Sequence, residues 1–284
     1  MSPTPFFRAR HEAMATIFEI IIAEDDMDAT YAGQAADAVF TEIDRLEEEL
    51  SRYKPGSDIW RVNNLRKGER APVGLAAMDC LSLAKAVHEE TSGAFDITIG
   101  PLMKIFRNDD GTPRTPSPED LEEAEARIGM QVFQLDDDGF VTVQVDYPLL
   151  DLGGIGKGYA LDQAVTTLND WSIQNALLNA GDSSILAIGK PLGDDGWIVT
   201  VGNKEKYPLR LSDRAVSGTG FQVKGNHIMN PRIMQPVAIR AERVWASAPT
   251  AALSDALSTA FTIMTRAEID AFCDRHPEVH AILD

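Results

Sequence analysis

The sequence predicts a single large α+β domain with an inserted or peripheral helical portion. Three observations lead there. Apolar residues make up 44% and charged residues 25% of 284 positions, the balance of an ordinary globular chain long enough for a substantial core. Runs of β-branched and aromatic residues coexist with stretches of helical spacing. No repeat, low-complexity stretch or shift in composition marks a linker. The domain is expected over residues 10–284, after a short N-terminal arm at 1–9.

In chain order, Met14–Ala23 is β-branched and aromatic and reads as a buried strand. Residues 29–51 read as a helix, with Val39, Ile43, Leu46 and Leu50 on one stripe and Glu47–Glu49 on the solvated face. Pro55 and Gly56 enforce a loop, and Ser57 caps a short helical turn reaching Asn63. Leu75–Thr91 is a second amphipathic helix, ended by Ser92 and Gly93. Ala94–Pro101 reads as a short extended segment with one acid, Asp96, among apolar neighbours. Residues 107–118 form an exposed loop, and Ser117-Pro-Glu-Asp120 opens a helix with Pro at its first position. Asp136–Gly139 is a turn between strands without the rest of a calcium-loop pattern.

An extended apolar run, Val143–Leu150, leads to the stretch around which the chain is organised: Asp151-Leu-Gly-Gly-Ile-Gly-Lys-Gly-Tyr-Ala-Leu-Asp162. A helix is expected from Tyr159 to Leu168. Glycines at 153, 154, 156 and 158 strip side chains from the turn, so a ligand can approach the backbone. Free N–H groups opening the helix, with Lys157 beside them, suit a phosphate. The spacing is neither G-x-G-x-x-G nor a P-loop, because Gly158 follows Lys157 where a P-loop has Ser or Thr. A tight strand-to-helix turn carrying a surface lysine is the alternative.

Strands follow within Ala176–Gly189, then at Gly196–Val201, Pro208–Leu211 and Ala215–Ser217. Ser217–Gly220 reads as a second glycine turn, and His227–Arg232 as the end of another short strand. Val244–Ala248 is a strand leading into a helix from Thr250 to Met264.

On that last helix Asp255 and Thr259 stand at i and i+4, so their oxygens share one face. With a main-chain carbonyl they make a hard-oxygen set suited to Mg2+. The alternative is a surface carboxylate and a hydroxyl bonded back into its own helix. His227, between a glycine-rich turn and a proline, is the best placed of five histidines for chemistry; a hydrogen-bonded structural role is the alternative. Cys80 and Cys273 sit in helical segments without metal or redox spacing and read as core thiols.

A net charge of −18 argues against a nucleic-acid backbone or an anionic membrane as partner. An anionic ligand then needs a locally positive site or a cation. No signal-peptide core, lipobox cysteine or apolar run of about 18 residues is visible, so a cytoplasmic location without a membrane span is expected.

Taken in order, Met14-Ala-Thr16, Ser51-Arg-Tyr53, Thr91-Ser-Gly-Ala-Phe-Asp96, Asp151–Gly158, Asn179-Ala-Gly181, Ser217-Gly218, His227-Ile-Met-Asn-Pro-Arg232 and Ser254–Thr259 resemble the ApbE-type FAD:protein FMN transferases. Each motif is weak; eight in order are specific, and they cover nearly the whole chain. The resemblance implies an antiparallel sheet packed with helices. It implies FAD as substrate, Mg2+, and transfer of FMN to a threonine or serine hydroxyl of an acceptor protein with release of AMP. By resemblance Met14, Tyr53, Ala94, Phe95, Asp96, Asp151, Lys157 and Ile228 match flavin-nucleotide contacts. Asp255 and Thr259 match the metal's side-chain ligands, Gly154 the residue adding a main-chain oxygen, and His227, counted catalytic with Asp255, the histidine beside the pyrophosphate.

Three departures stand out. The family's Met-Gly-Thr is Met14-Ala-Thr16, its Asn-Ala-Gly-Gly-Asp is Asn179-Ala-Gly-Asp-Ser183, and its frequent Pro-Arg-Thr-Gly is Pro231-Arg-Ile-Met234. The last change puts a bulky side chain at the end of the strand carrying His227 and is expected to alter the mouth of the site or the acceptor groove. Two other readings remain open: an FAD pyrophosphatase forming FMN and AMP, and a flavin-binding protein without turnover. The second is favoured by the altered motifs and disfavoured by the joint presence of Asp255, Thr259 and Lys157.

Overall fold

A computed structural model describes residues 6–108, 110–181, 183–202, 206–220, 228–238 and 243–283. His227, Asp182 of the altered Asn179–Ser183 motif and Asp109 of the expected exposed loop lie outside the described residues.

The chain runs β1 (Phe7–Ala13), β2 (Thr16–Ile22), α1 (Ala29–Leu50), α2 (Asp58–Asn63), β3 (Arg70–Pro72), α3 (Leu75–Glu90), α4 (Gly100–Ile105) and α5 (Pro118–Glu125). It continues through β4 (Phe133–Leu135), β5 (Phe140–Val143), α6 (Gly156–Asp170), β6 (Ala176–Ala180), β7 (Ser184–Ile188), β8 (Trp197–Val201), β9 (Tyr207–Leu211) and β10 (Arg214–Thr219). It ends with β11 (Met229–Asn230), β12 (Gln235–Pro236), β13 (Val244–Ala248), α7 (Ala251–Ile263), α8 (Arg266–Arg275) and β14 (His280–Leu283).

These elements form two compact units. One comprises residues 1–47, 155–220 and 241–284; the other comprises 48–154 and 221–240. The first holds a seven-stranded sheet in the order β1-β2-β6-β7-β10-β13-β14, with every neighbouring pair antiparallel. Alternation along β10 separates the faces of the sheet. Val216 joins Trp197, Val199, Leu211 and Trp245 in a cluster beneath the β8–β9 hairpin, whereas Thr219 meets Ser258 and Thr259 of α7. Gly218 sits where a Cβ would lie 2.6 Å from the Trp245 ring on the paired strand, so the indole fills the space a side chain would take.

The second unit carries the three-stranded sheet β3-β5-β4, helices α2 to α5 and the β11–β12 hairpin. Its apolar cluster is built from Leu102, Ala124, Ile128 and Met229, with Phe106, Leu121 and Met234 packed against it. Ser57 caps α2 through the Trp60 N–H, and Ser117 with Asp120 forms a capping box on α5.

Several expectations are corrected. Of the arm expected at 1–9, the residues from Phe7 belong to β1, which pairs along its length with β2, and residues 1–5 lie outside the described residues. Its alternation of charged and apolar residues suits an edge strand with one wet face. Ala94–Ile99 is a series of bends and turns and not an extended segment, and Gly100 and Pro101 already belong to α4; Asp96 takes the Thr98 N–H and hydroxyl on one oxygen, which bends the chain before that helix. Val143–Leu150 leaves the strand at Val143, with Tyr147 in a left-handed conformation. Ser217–Thr219 are strand, not turn, and α6 begins at Gly156, three residues before the expected start.

Two of the family's glycine positions reveal why glycine suits them. The β1–β2 loop is the two residues Met14 and Ala15, at φ 50° and 57°, as a primed hairpin turn requires. Met234, closing the β11–β12 turn, has φ 54°. The Met234 side chain packs against the second unit's apolar cluster, which offsets the strain, and it also lines the cavity that holds Asp96. Ala15 is exposed and has no such compensation. Ala15→Gly is therefore expected to stabilise the protein by about 1 kcal/mol, read as a higher denaturation midpoint. An unchanged midpoint would mean the turn is not strained.

Candidate functional site

The first unit brings Lys157, Asp255 and Thr259 together. Helix α6 opens without a side-chain cap from its own N-cap residue, Ile155. The Asp255 carboxylate, from the second turn of α7, serves there instead. Its Oδ2 accepts from Gly158 N–H and from Lys157 Nζ, each at 3.3 Å. The place expected to attract a phosphate thus holds one of the protein's own anions, as a helix N-terminus favours.

Asp255 is 4% exposed, and its Oδ1 has no hydrogen-bond partner among the described residues. Thr259 Oγ1 lies 3.4 Å from the Asp255 carbonyl oxygen and 3.3 Å from Thr219 Oγ1, on the same helix face. A nearly buried carboxylate with one open oxygen and a hydroxyl one turn along fits a small hard cation that keeps water or substrate oxygens as its other ligands. The described residues contain no cluster of three or more His, Cys, Asp or Glu able to hold a metal, so a cation here depends on mixed oxygen donors.

Gly158 explains how this pair forms. A Cβ at this position would stand 2.2 Å from the Ala251 carbonyl oxygen and 2.7 Å from the Ala252 Cα, so α6 and α7 touch backbone to backbone. None of the four glycines in the organising turn is left-handed. Gly158 is required by helix packing, not by ligand approach. Asp162, one turn further along α6, accepts the Ala251 and Ala252 N–H groups at 2.7 and 2.9 Å. Burial pushes the Asp162 carboxyl up to about 6, with the Asp255 charge adding to the rise and the two main-chain donors opposing it. Asp162 closes the organising stretch, yet sequence reasoning gave it no role. The available signal was an acid four residues after Gly158 on a helical face.

Met14, the remaining expected contact in this unit, is half-buried in the strained hairpin turn. Thr16 of the same motif packs against Gly181, whose Cβ would lie 1.9 Å from Thr16 Oγ1, while Gly181 N–H donates to the Ile17 carbonyl at 3.0 Å. Met-Ala-Thr and Asn-Ala-Gly are thus two sides of one contact.

The second unit carries Tyr53, Ala94, Phe95, Asp96, Asp151, Gly154 and Ile228. Asp151 N–H donates to the Ile97 carbonyl at 2.8 Å, joining two of the motifs. The Asp151 carboxylate takes Gly153 N–H at 2.8 Å and pairs with Arg52 Nε at 3.3 Å, a partner missed in the sequence although it stands in Ser51-Arg-Tyr53. Tyr53 is 76% exposed beneath the Arg52 guanidinium, 4.5 Å from its ring centre. Ala94 and Phe95 are buried; Phe95 N–H goes to Thr91 Oγ1 and its carbonyl to His88 Nδ1, at 3.2 and 2.9 Å.

Of that trio Asp96 is the one with a polar side chain to offer a ligand. Burial pushes its carboxyl up, opposed by the two Thr98 hydrogen bonds and by His88, whose Nδ1 is 3.6 Å from Oδ2. It lines a cavity of about 250 Å³ with His88, Glu125, Gly129 and Arg232. Arg232 donates to the Thr91 and Ser92 carbonyls at 2.5 and 3.0 Å, closing the C-terminal end of α3. Ile228 is buried, its carbonyl accepting from Val237 N–H. Cys80 is buried and Cys273 partly so. No helix among the described residues is long and apolar enough to cross a membrane.

Comparison with known proteins places this geometry in context. The ApbE family model matches residues 14–283. The FAD:protein FMN transferase of Salmonella typhimurium is 26% identical over 274 residues, covering 89% of this chain and 77% of that protein. The Escherichia coli K12 protein of the same name is 25% identical over 261 residues, covering 84% and 73%. Among solved structures, the Pseudomonas stutzeri flavinyl transferase ApbE superposes with a TM-score of 0.85 at 22% identity, over 98% of this chain and 90% of that one. The ApbE protein of Thermotoga maritima does so with a TM-score of 0.81 at 26% identity, over 98% and 94%.

Proposed function

The chain belongs to the ApbE family, and from that premise we propose that it transfers FMN from FAD to a threonine or serine hydroxyl of an acceptor protein, with Mg2+, releasing AMP. Transfer of FMN from FAD to a protein is the activity in the name its curated relatives carry. The observation that carries the reading is the Lys157–Asp255 contact at 3.3 Å beside Thr259. It is a cation and a nearly buried hard-oxygen set in one place, which a pyrophosphate substrate requires.

In this reading the acceptor oxygen attacks the FMN-side phosphorus, and the bond from that phosphorus to the bridging oxygen breaks. AMP leaves with the bridging oxygen, and the hydroxyl proton passes to a base. Lys157 offsets charge on the pyrophosphate; Asp255 and Thr259, with the Gly154 carbonyl that the resemblance adds, are the residues that would hold Mg2+, which when bound would supply charge stabilisation for the leaving group. Met14, Tyr53, Ala94–Asp96, Asp151 and Ile228 hold the flavin nucleotide. Asp96, bent back by Thr98, presents its second oxygen as an acceptor for a donor group of the ligand.

His227 is the proposed base, since an unperturbed imidazole pKa near ~6.5 suits proton removal at neutral pH. His227→Ala is expected to lower turnover at saturating FAD by about 100-fold or more while changing FAD affinity far less. Equal turnover at saturating FAD would remove that role.

The reading is tested by following AMP release from FAD with Mg2+, with and without a threonine-bearing acceptor peptide, alongside peptide mass. A peptide gaining the mass of FMN, with AMP appearing only then, supports transfer. AMP without acceptor modification points to a pyrophosphatase, and tight FAD binding without AMP to a binding protein.

A further inference from the structure

We infer that Asp162 is the positioning residue of the cation site: by holding the first turn of α7 it sets where the Asp255 carboxylate stands against Lys157 and Gly158. The inference rests on the proposed reading of Asp255 as a cation ligand. Helices α6 and α7 cap one another. Asp255 of α7 accepts an N–H from the first turn of α6, and Asp162 of α6 accepts two from the first turn of α7. Gly158 and Asp162 are i and i+4 on α6, and both meet the same two residues, Ala251 and Ala252. Asp255 lies one turn beyond Ala251, so any slide or rotation of that first turn carries the carboxylate with it.

The tie to Asp162 reaches beyond the cap residue of α7 itself. Thr250 already supplies that cap, accepting from Leu253 N–H at 3.4 Å. A carboxylate from a neighbouring helix adds a tie between the helices. It does so at an electrostatic cost, because Asp162 is half-buried and the Asp255 charge repels it.

The test uses the full chain at pH 8 with Mn2+ as probe, titrated calorimetrically without FAD, in Asp162→Ala, Asp162→Asn and Thr250→Ala. Both Ala variants are expected to melt at lower temperature. Asp162→Ala should weaken Mn2+ binding by about tenfold or more. Asp162→Asn, whose single oxygen can satisfy one N–H, should fall between it and the parent. Thr250→Ala should leave the affinity within about twofold of the parent. In AMP release, the KM for Mg2+ should rise in the Asp162 variants, and part of the lost rate should return at saturating Mg2+. Unchanged Mn2+ affinity in both Asp162 variants, or equal weakening in Thr250→Ala, would overturn the inference. If Asp162→Ala does not fold, the asparagine variant carries the test. A parent chain that binds no Mn2+ removes the cation reading itself, an outcome distinct from a parent that binds and variants that bind equally.

Discussion

Asp255→Asn is expected to lower the rate of AMP formation at saturating FAD and Mg2+ on the order of 100- to 1,000-fold. Asparagine keeps the shape and one acceptor oxygen, so Gly158 N–H at the opening of α6 can still be satisfied. The negative charge is lost. Lys157 Nζ, 3.3 Å away, then faces a neutral amide, and a divalent cation loses the one carboxylate among its expected ligands. Because Asp255 is nearly buried, water does not make up the difference. The measurement is AMP release beside a Mn2+ titration, with circular dichroism to establish that the fold is retained. A variant keeping a third of the parent rate would show that Asp255 is not at the reacting centre.

The second large effect comes from one methyl group. A helical Gly→Ala change on an exposed face stabilises by about 1 kcal/mol. Gly158→Ala is expected to do the opposite, destabilising by about 1–3 kcal/mol and lowering the melting temperature by several degrees. The added Cβ would meet the Ala251 carbonyl oxygen at 2.2 Å, where ordinary contact begins near 3.4 Å. The obstructing atoms are helix backbone, which cannot rotate aside, so α7 must retreat by about 1 Å. That retreat moves Asp255 from Lys157, and turnover is expected to fall by about 100-fold. A scanning calorimetry trace with an unchanged or raised midpoint would refute the close contact.

Most of the fold was legible because the signals were local. The stripe Val39-Ile43-Leu46-Leu50, the Ser57 and Ser117 caps and the alternation along β8 each depend on neighbours within a turn or a strand. The failures arose where tertiary contact decided. Val143–Leu150 has strand-like composition, but Asn63 binds the Leu150 N–H and carbonyl, satisfying the groups a sheet ladder would otherwise take. Ser217-Gly-Thr-Gly looks like a turn, but Gly218 sits in β10 because the Trp245 ring needs its space. No boundary between the two units was visible, because neither is a continuous stretch and no linker joins them in the usual sense.

The site was legible to a similar degree. Lys157 and Asp255 were picked out from spacing and resemblance, and the first unit sets them 3.3 Å apart, while the Thr259 hydroxyl bonds back to the Asp255 carbonyl, the alternative the spacing had left open. Asp162 and Arg52 were missed, because a carboxylate that caps another helix and an arginine that pairs across nearly a hundred residues leave no periodic trace. The departures at Ala15 and Met234 read as losses of glycine, and both residues hold the left-handed backbone that glycine favours.

The order of the large sheet has a consequence for biosynthesis. Its strands, β1-β2-β6-β7-β10-β13-β14, lie side by side in the order in which they leave the ribosome. Each new strand docks on the edge left by the previous one, and none has to be inserted between two already paired. Assembly can proceed by accretion while translation continues, with the long segment between β2 and β6 emerging before the third strand is needed. Until β14 arrives the nascent sheet presents an open, hydrogen-bond-hungry edge. Synthesis stalled at any strand would leave that strand's edge unpaired, and a chaperone acting on this protein would find its work at that moving edge.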